Sequence, residues 1–259
     1  GKFNVILQEV KLKKVSGNDF YPELEKSNVQ IYDALNYRHW DTWEDGAYGH
    51  IFLNRVDGSS PPKDIMEGEA FDCPQKPFGG EEDFTWSPDS RQLVYVTKKK
   101  FGTAYAVSTN TDIYSYEVST GVTANLSEGM MGYDTYPSFS SQGTLAWLSM
   151  KRDGYEADKN DIVAKAGPSV INLTQHWDGT VLGFDWSTDG RRIYFTAPVD
   201  GTIQLFEVDF PGMTKKVPVV RQITKGDFDL TGIVGQTGNT LVVSRTDMNH
   251  ATELYSLNL

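Results

Sequence analysis

Cysteine is nearly absent, because the 259 residues include a single one, Cys73. One thiol cannot form a disulfide within the chain, so cysteine usage carries no information about the redox compartment. Free cysteines are among the most frequently buried residues of proteins, and we therefore expect Cys73 to be an inert core thiol.

Basic charge and long apolar runs are also scarce. Lys and Arg total 24 against 35 Asp and Glu, for a formal net charge of −11. Without a basic stripe the chain lacks the groups that neutralise phosphates, so we predict no nucleic-acid partner. No segment approaches the ~18 apolar residues of a membrane span, so no contact with a membrane is predicted. The aromatic residues, 12% of the chain, indicate a folded and well-packed domain.

The motifs of common catalytic and metal sites are missing as well. The chain has no Gly-x-Ser-x-Gly nucleophile motif, no Walker-type phosphate loop and no dinucleotide fingerprint. The histidines do not have the spacing of a zinc motif, and we predict no catalytic residue, no metal and no cofactor for this chain. These histidines are His39, His50, His176 and His250.

What the chain does contain is a repeat. Each unit has a short apolar stretch, a polar turn rich in Asp, Gly or Ser, and then a strand of alternating apolar residues. A second alternating strand and a short final strand follow in all units but the last. Four strands at a period of roughly 40–50 residues are typical of a β-propeller blade. The repeated segments are FTWSPDSRQLVYVT (84–97), PSFSSQGTLAWLS (137–149), FDWSTDGRRIYFT (184–196) and GIVGQTGNTLVVS (232–244).

We therefore predict an all-β fold, a partial β-propeller of four-stranded blades with three complete and two incomplete blades. Trp86 and Trp186 are expected on inner strands, where they fill the core between blades. The predicted boundaries are 81–127, 134–175 and 181–225 for the complete blades, 1–68 for an incomplete first blade, and 229–259 for an incomplete last blade.

The first blade is interrupted by an insertion, 11–48, in which the sequence predicts a helix over 22–37. Pro22 suits a first helical turn and the glutamates after it suit the positive end of a helix. The incomplete end blades predict that the chain is a piece of a longer protein. Their free strand edges also predict a homodimer formed by edge pairing.

Five segments of the chain resemble the propeller of the prolyl oligopeptidase family of serine peptidases, in its bacterial dipeptidyl-peptidase and acylaminoacyl-peptidase-like branch. The resemblance extends over nearly the whole chain, although the WSPD turn alone also occurs in propellers of the Tol translocation type. The segments are RHWDTWEDG (38–46), FTWSPDSRQLVYVTKK (84–99), STNTDIYSYEVSTG (108–121), EGMMGYDTYPSFS (128–140) and MKRDGYEADKNDI (150–162).

The resemblance implies a C-terminal α/β-hydrolase domain with a Ser-Asp-His triad, which this chain does not contain. The chain itself would be non-catalytic, gating the active site and helping to bind the peptide N-terminus, while the whole enzyme would release dipeptides from oligopeptides. A periplasmic or secreted location is implied, with a cytoplasmic one as the alternative. The alternative function is a stand-alone propeller of the Tol type that binds protein partners.

Loops between the second and third strands of a blade lie on the same face as the loops between blades. Carboxylates on that face can hold a peptide ammonium group by charge-assisted hydrogen bonds. The alternative is a solvated loop whose acids pair with Lys151, Arg152 and Lys159. The candidate substrate-binding residues are Glu156, Asp134, Tyr133, Glu81, Glu82 and Tyr155.

The aromatic pair Trp40 and Trp43 has two interpretations as well. The two rings can anchor the insertion to the blade, since aromatic side chains mostly supply packing area. Alternatively, His39 or Arg38 beside them reaches toward a hydrolase domain.

Overall fold

A computed structural model of the protein describes residues 1–214 and 216–259. The described residues form three four-stranded and two three-stranded antiparallel sheets, and one two-stranded ribbon. This is the predicted partial propeller, with three complete blades between two three-stranded ones, and the fold-class prediction is confirmed.

The first sheet has the order β1-β4-β5 and includes the insertion between its first two strands. Strands β1 and β4 pair along their whole length, from Phe3 opposite Arg55 to Lys11 opposite Ala47. The elements are β1 (Phe3–Lys11), α1 (Gly17–Phe20), β2 (Arg38–His39), β3 (Thr42–Trp43), β4 (Ala47–Arg55) and β5 (Lys63–Asp64).

Each later sheet follows chain order from one strand to the next. The second has β6 (Phe84–Trp86), β7 (Gln92–Thr97), α2 (Gly102–Val107) before its third strand, β8 (Asp112–Glu117) and β9 (Thr123–Asn125). The third has β10 (Asp134–Phe139), β11 (Leu145–Ser149), β12 (Asp161–Ala166) and β13 (Ser169–Asn172). The fourth has β14 (Gly183–Trp186), β15 (Arg192–Val199), β16 (Thr202–Asp209) and β17 (Val220–Gln222), and the last has β18 (Asp229–Thr237), β19 (Thr240–Asp247) and β20 (His250–Asn258).

The apolar core lies between neighbouring blades, as stacking of sheets in a repeat requires. Middle strands such as β7 are buried on both faces because a blade covers each side. Trp86 packs on the cluster between the first two sheets, and Trp186 on the cluster between the third and fourth. The indole N–H of Trp186 also donates to the carbonyl of Ser138 in the preceding blade, at 3.2 Å. Both tryptophans thus have the predicted structural role.

The polar turn of the repeat has a local cause. In the second blade the Ser87 hydroxyl donates to the Asp89 carboxylate at 2.7 Å, and its oxygen accepts from the Gln92 backbone at 3.0 Å. Ser187 and Asp189 make the same bond in the fourth blade, also at 2.7 Å. Such side-chain bonds to nearby groups favour a turn over continued strand.

The predicted helix over 22–37 is wrong. This part of the insertion forms turns and extended segments, and the helical turn α1 precedes it. Val29 and Ile31 exchange backbone bonds with Gly17 and Val15 at 2.8 Å, so the segment pairs with the preceding chain and not with itself. The apolar stripe also lacks a surface to pack against, because Leu35 is 42% exposed, and a short helix without tertiary packing is marginal.

Candidate functional site

A pocket of about 760 Å³ opens where the connections between blades meet those between second and third strands. The insertion, the segment before β6, the β7–β8 connection and the β11–β12 hairpin all contribute to its walls. The wall residues include Arg38, His39, Trp40, Gln75, Lys98, Tyr105, Tyr133, Tyr155 and Glu156.

The β11–β12 hairpin is fixed to the neighbouring blade by Asp153. One oxygen of its carboxylate accepts from the Ser108 hydroxyl and the Thr109 backbone, each at 2.7 Å, and from the Asn110 backbone at 3.2 Å. The Gly154 backbone donates in return to the Thr109 hydroxyl at 2.9 Å. Burial alone would raise the pKa of Asp153, but these hydrogen bonds outweigh burial and lower it below its usual value. The ionised Asp153 carboxylate therefore holds the hairpin against the loop before β8.

Most other charges of the hairpin also stabilise its shape. Arg152 forms an ion pair with Asp158 and lies over the Tyr155 ring, 4.0 Å from the ring centroid. Lys159 donates to two backbone carbonyls and forms an ion pair of 2.9 Å with Asp161. The sequence alternative has the acids of the hairpin pairing with Lys151, Arg152 and Lys159. Ion pairs are observed for Arg152 with Asp158 and for Lys159 with Asp161, while Lys151 and Glu156 make no ion pair among the described residues.

Glu156 is an exposed carboxylate on the pocket wall, with Tyr133 and Tyr155 beside it. Burial raises the pKa of the Tyr133 hydroxyl, and the nearby Glu156 raises it further. Across the pocket, burial lowers the pKa of Lys98, whose ammonium lies 4.2 Å from the Tyr105 centroid. The carboxylates of Asp153 and Glu156 act on the pKa of Lys98 in the opposite direction.

Three of the six candidate residues, Glu156, Tyr133 and Tyr155, are thus brought together in one pocket. Glu82 lines an adjoining pocket of about 310 Å³ that shares Tyr133 with the first. Glu81 lies in the same 3-10 turn, Glu81–Asp83, but is not part of either pocket wall.

Asp134 is turned away from both pockets. It is fully buried, and the Trp147 indole N–H donates to its carboxylate at 3.1 Å. Burial raises the pKa of Asp134 to about 7. Its backbone exchanges bonds with the Thr111 hydroxyl at 2.9 and 3.0 Å. As the first residue of β10 it ties two blades together, so the predicted contact between Asp134 and a substrate amine has no support in the geometry.

Sequence reasoning missed the wall contributed by the β7–β8 connection, including Lys98 and Tyr105. The length of this connection could have indicated it, because 14 residues separate β7 from β8 where a hairpin needs two to five.

The insertion aromatics divide into two roles. Trp43 stacks on Tyr32 and Tyr37 at 6.0 and 6.1 Å, and Arg38 lies over it at 5.4 Å. Trp43 thus packs within the insertion. Trp40 is 67% exposed on the pocket wall, where its ring contacts Phe78 of the segment before β6 with the centroids 5.3 Å apart. Of the two rings, Trp40 therefore has an aromatic contact outside the insertion, while the aromatic contacts of Trp43 lie within it.

Within residues 1–214 and 216–259, no three His, Cys, Asp or Glu side chains cluster so as to hold a metal ion. The same residues contain no helix of the length and apolarity needed to span a bilayer.

No family model matches the chain. Individual proteins do match. Dipeptidyl-peptidase 5 of Porphyromonas gingivalis is 40% identical over 246 residues, covering 93% of this chain and 35% of that protein. The chain is homologous to part of a dipeptidyl-peptidase 5. The protein of the same name from Porphyromonas endodontalis is 39% identical and covers 100% of this chain and 37% of its own length. The resemblance to the prolyl oligopeptidase family is thereby confirmed.

Among solved structures, the acylaminoacyl peptidase of Pyrococcus horikoshii matches 99% of this chain with a TM-score of 0.62 and 14% identity. At that identity the match supports the fold alone. The chain spans about a third of the length of the dipeptidyl-peptidase 5 proteins that it matches, 35% and 37%. The homology therefore concerns the propeller of a peptidase.

Proposed function

We propose that this chain is the non-catalytic propeller of a dipeptide-releasing exopeptidase, where it holds the free N-terminus of a peptide and restricts access to an active site elsewhere in the protein. The homology to proteins named dipeptidyl-peptidase 5 supports the reaction class. An enzyme that removes dipeptides has to recognise the terminal amine, because the amine sets the register of cleavage. A peptide is thus the proposed partner, and the hydrolase part of the protein supplies the catalytic groups.

The proposal rests on the carboxylate of Glu156, which has no ion-pair partner among the described residues. Its neighbours in the hairpin make structural contacts. Arg152 forms an ion pair with Asp158, and Asp153 accepts hydrogen bonds from the loop before β8. Glu156 lines the pocket without an ion-pair partner among the described residues. A carboxylate that is available in a concave site, beside the Tyr133 hydroxyl, can accept hydrogen bonds from an ammonium group.

The test compares two substrates in the full-length protein that contains this chain. Glu156→Gln removes the charge and keeps the shape. We expect kcat/KM on a dipeptidyl substrate with a free amine to fall about 30-fold, the equivalent of a lost charged hydrogen bond of roughly 2 kcal/mol. The N-acetylated substrate, which lacks the ammonium, should be hydrolysed as by the wild type.

The matched control is Glu67→Gln, which neutralises an exposed glutamate that lines neither pocket. It should leave both substrates unaffected. An equal loss on free-amine and acetylated substrates, or no loss on either, would refute the role of Glu156.

The exposed edges support a second, separate property of the isolated chain. Strands β1 and β20 each pair with one other strand of their sheet, so one edge of each presents backbone donors and acceptors. We propose that the isolated chain forms homodimers by pairing these edges. Light scattering should show a mass that rises with concentration, and Leu254→Pro on the exposed part of β20 should abolish the rise. A constant monomer mass would contradict it.

A further inference from the structure

Two exposed aromatic rings stand on the boundary between the two pockets. Trp40 is 67% exposed and Phe78 is 69% exposed. Their ring centroids are 5.3 Å apart at an interplanar angle of 66°, an edge-to-face contact, and His39 contacts Trp40 in the same manner at 4.9 Å. Isolated apolar residues on a surface are ordinary, but a pair of large rings in mutual contact at the mouth of a pocket is a feature of binding sites.

Trp40 is held in an unfavourable backbone conformation. Strands β2 and β3 pair Arg38 with Trp43 and His39 with Thr42, which leaves Trp40 and Asp41 as a two-residue turn. The φ angle of Trp40 is 50°, in the left-handed region where such turns normally have Gly, Asn or Asp. A bulky residue in this region is strained, and strain of this kind clusters at functional sites. The turn geometry thus disfavours a tryptophan at this position, whereas a function of the exposed ring would explain it.

The ring pair is continuous with the site of the proposed function. Trp40 lines the larger pocket together with Tyr133, Tyr155 and Glu156, while Phe78 lines the smaller one. The two pockets share the segment 75–77 and Tyr133, so a peptide held by its amine at Glu156 has the rings beside it.

We propose that Trp40 and Phe78 form a subsite for a large apolar side chain of the bound peptide, close to its free N-terminus. This subsite deepens the proposed function and rests on it. Aromatic rings in edge-to-face contact supply apolar area with little conformational freedom to lose, which suits recognition of an aromatic or branched side chain. The subsite would make the propeller a source of sequence preference in addition to a holder of the amine.

The experiment uses the full-length protein that contains this chain and three peptide series with a free amine. In each series Phe and Ala alternate at the first, second or third residue of an otherwise identical peptide, and the ratio of kcat/KM for Phe over Ala is measured. Trp40→Asn removes the ring and replaces it with a residue that tolerates positive φ. We expect the ratio to fall about tenfold at one position and to stay constant at the other two.

Three further variants serve as controls. Phe78→Leu should lower the same ratio, and Trp40→Phe should retain most of it. Met248→Asn alters an apolar side chain that is 99% exposed on the β19–β20 turn and should change nothing. The Tm of Trp40→Asn should equal or exceed that of the wild type, because the strain is relieved and no buried contact is lost.

An unchanged ratio in Trp40→Asn, or an equal loss of kcat/KM for the Phe and Ala peptides at all positions, would overturn the subsite. The second result would mean that the rings contact another part of the protein. Glu156→Gln, measured on the same peptides and on their N-acetylated counterparts, separates this proposal from the amine site. If Glu156→Gln loses the preference for a free amine while Trp40→Asn leaves the Phe/Ala ratio unchanged, the proposed function stands and the subsite is overturned, whereas a wild-type protein that hydrolyses none of the peptides overturns both.

Discussion

The contact between Asp153 and the loop before β8 gives the sharpest prediction about the architecture of the pocket. Asp153→Ala removes three hydrogen bonds to one carboxylate oxygen. The Asn110 backbone keeps a second acceptor, the Ser108 oxygen at 3.1 Å. The backbone N–H of Thr109, by contrast, has no other hydrogen-bond acceptor among the described residues, and Thr109 is only 7% exposed.

The magnitude follows from that difference. Leaving one buried donor unsatisfied costs about 1–3 kcal/mol, and the loss of the charged bond to the Ser108 hydroxyl adds to it. We therefore expect the free energy of unfolding to fall by about 2–3 kcal/mol and Tm to fall by roughly 4–12 °C, at about 2–4 °C per kcal/mol for a chain of this size. Thermal unfolding followed by circular dichroism measures both.

The matched control is Asp158→Ala in the same hairpin. The Asp158 side chain is only 9% exposed, but the groups that it contacts are solvated, because the Arg152 side chain is 56% exposed and the Arg152 backbone that donates to Asp158 at 3.0 Å belongs to an exposed residue. Water can replace the carboxylate at such groups, so the loss should be about 0–1 kcal/mol. The control should thus lower Tm by a few degrees at most. Equal losses in the two variants, or a loss below about 1 kcal/mol for Asp153→Ala, would refute the assignment of Asp153 as the anchor of the hairpin.

The pH dependence of the difference is a second check. The pKa of Asp153 is lower in the folded chain than in the unfolded one, so its contribution is complete above pH ~4 and is lost as the pH falls through the folded pKa. The Tm difference between wild type and Asp153→Ala should therefore shrink in acid. A difference that does not shrink as the pH is lowered would contradict an ionised contact.

Two further predictions concern buried groups. The pKa of Asp134 is raised to about 7 by burial, so this group should make the wild type lose stability as the pH rises from about 4 to 7. Asp134→Asn, which still accepts from Trp147, should reduce this slope in Tm, and the part that remains belongs to Asp83 and Asp185, whose pKa values burial raises to about 6; a slope unchanged by the substitution would contradict the prediction. Cys73 is fully buried and burial raises its pKa, so it should react with a thiol reagent in guanidinium chloride and stay inert under native conditions; fast labelling of the folded chain would show that the thiol is accessible.

The propeller could be predicted because its cause is local and repeated. Each blade has its own polar turn, in which a serine such as Ser87 bonds an aspartate such as Asp89, and each has strands with alternating apolar residues. A repeat stabilises itself through contacts with its neighbours, so the period alone indicates the architecture.

The insertion could not be predicted in the same way. Its apolar residues follow a partial helical spacing, but the chain around Val15 and Gly17 offers backbone partners that the helix would have to do without. Periodicity describes which residues can share a face and is silent about whether a surface exists for that face to cover.

The sequence by itself determined the blades, their order along the chain and the face on which Tyr133, Tyr155 and Glu156 lie, because strand alternation and turn chemistry are local properties of the chain. Only the tertiary structure decided which charges of the hairpin remain available. Asp153 and Arg152 become structural through partners, and Asp134 points into the core, where burial changes its pKa. The contact between Trp40 and Phe78 likewise joins two segments that are distant in sequence, so neither segment predicts it alone.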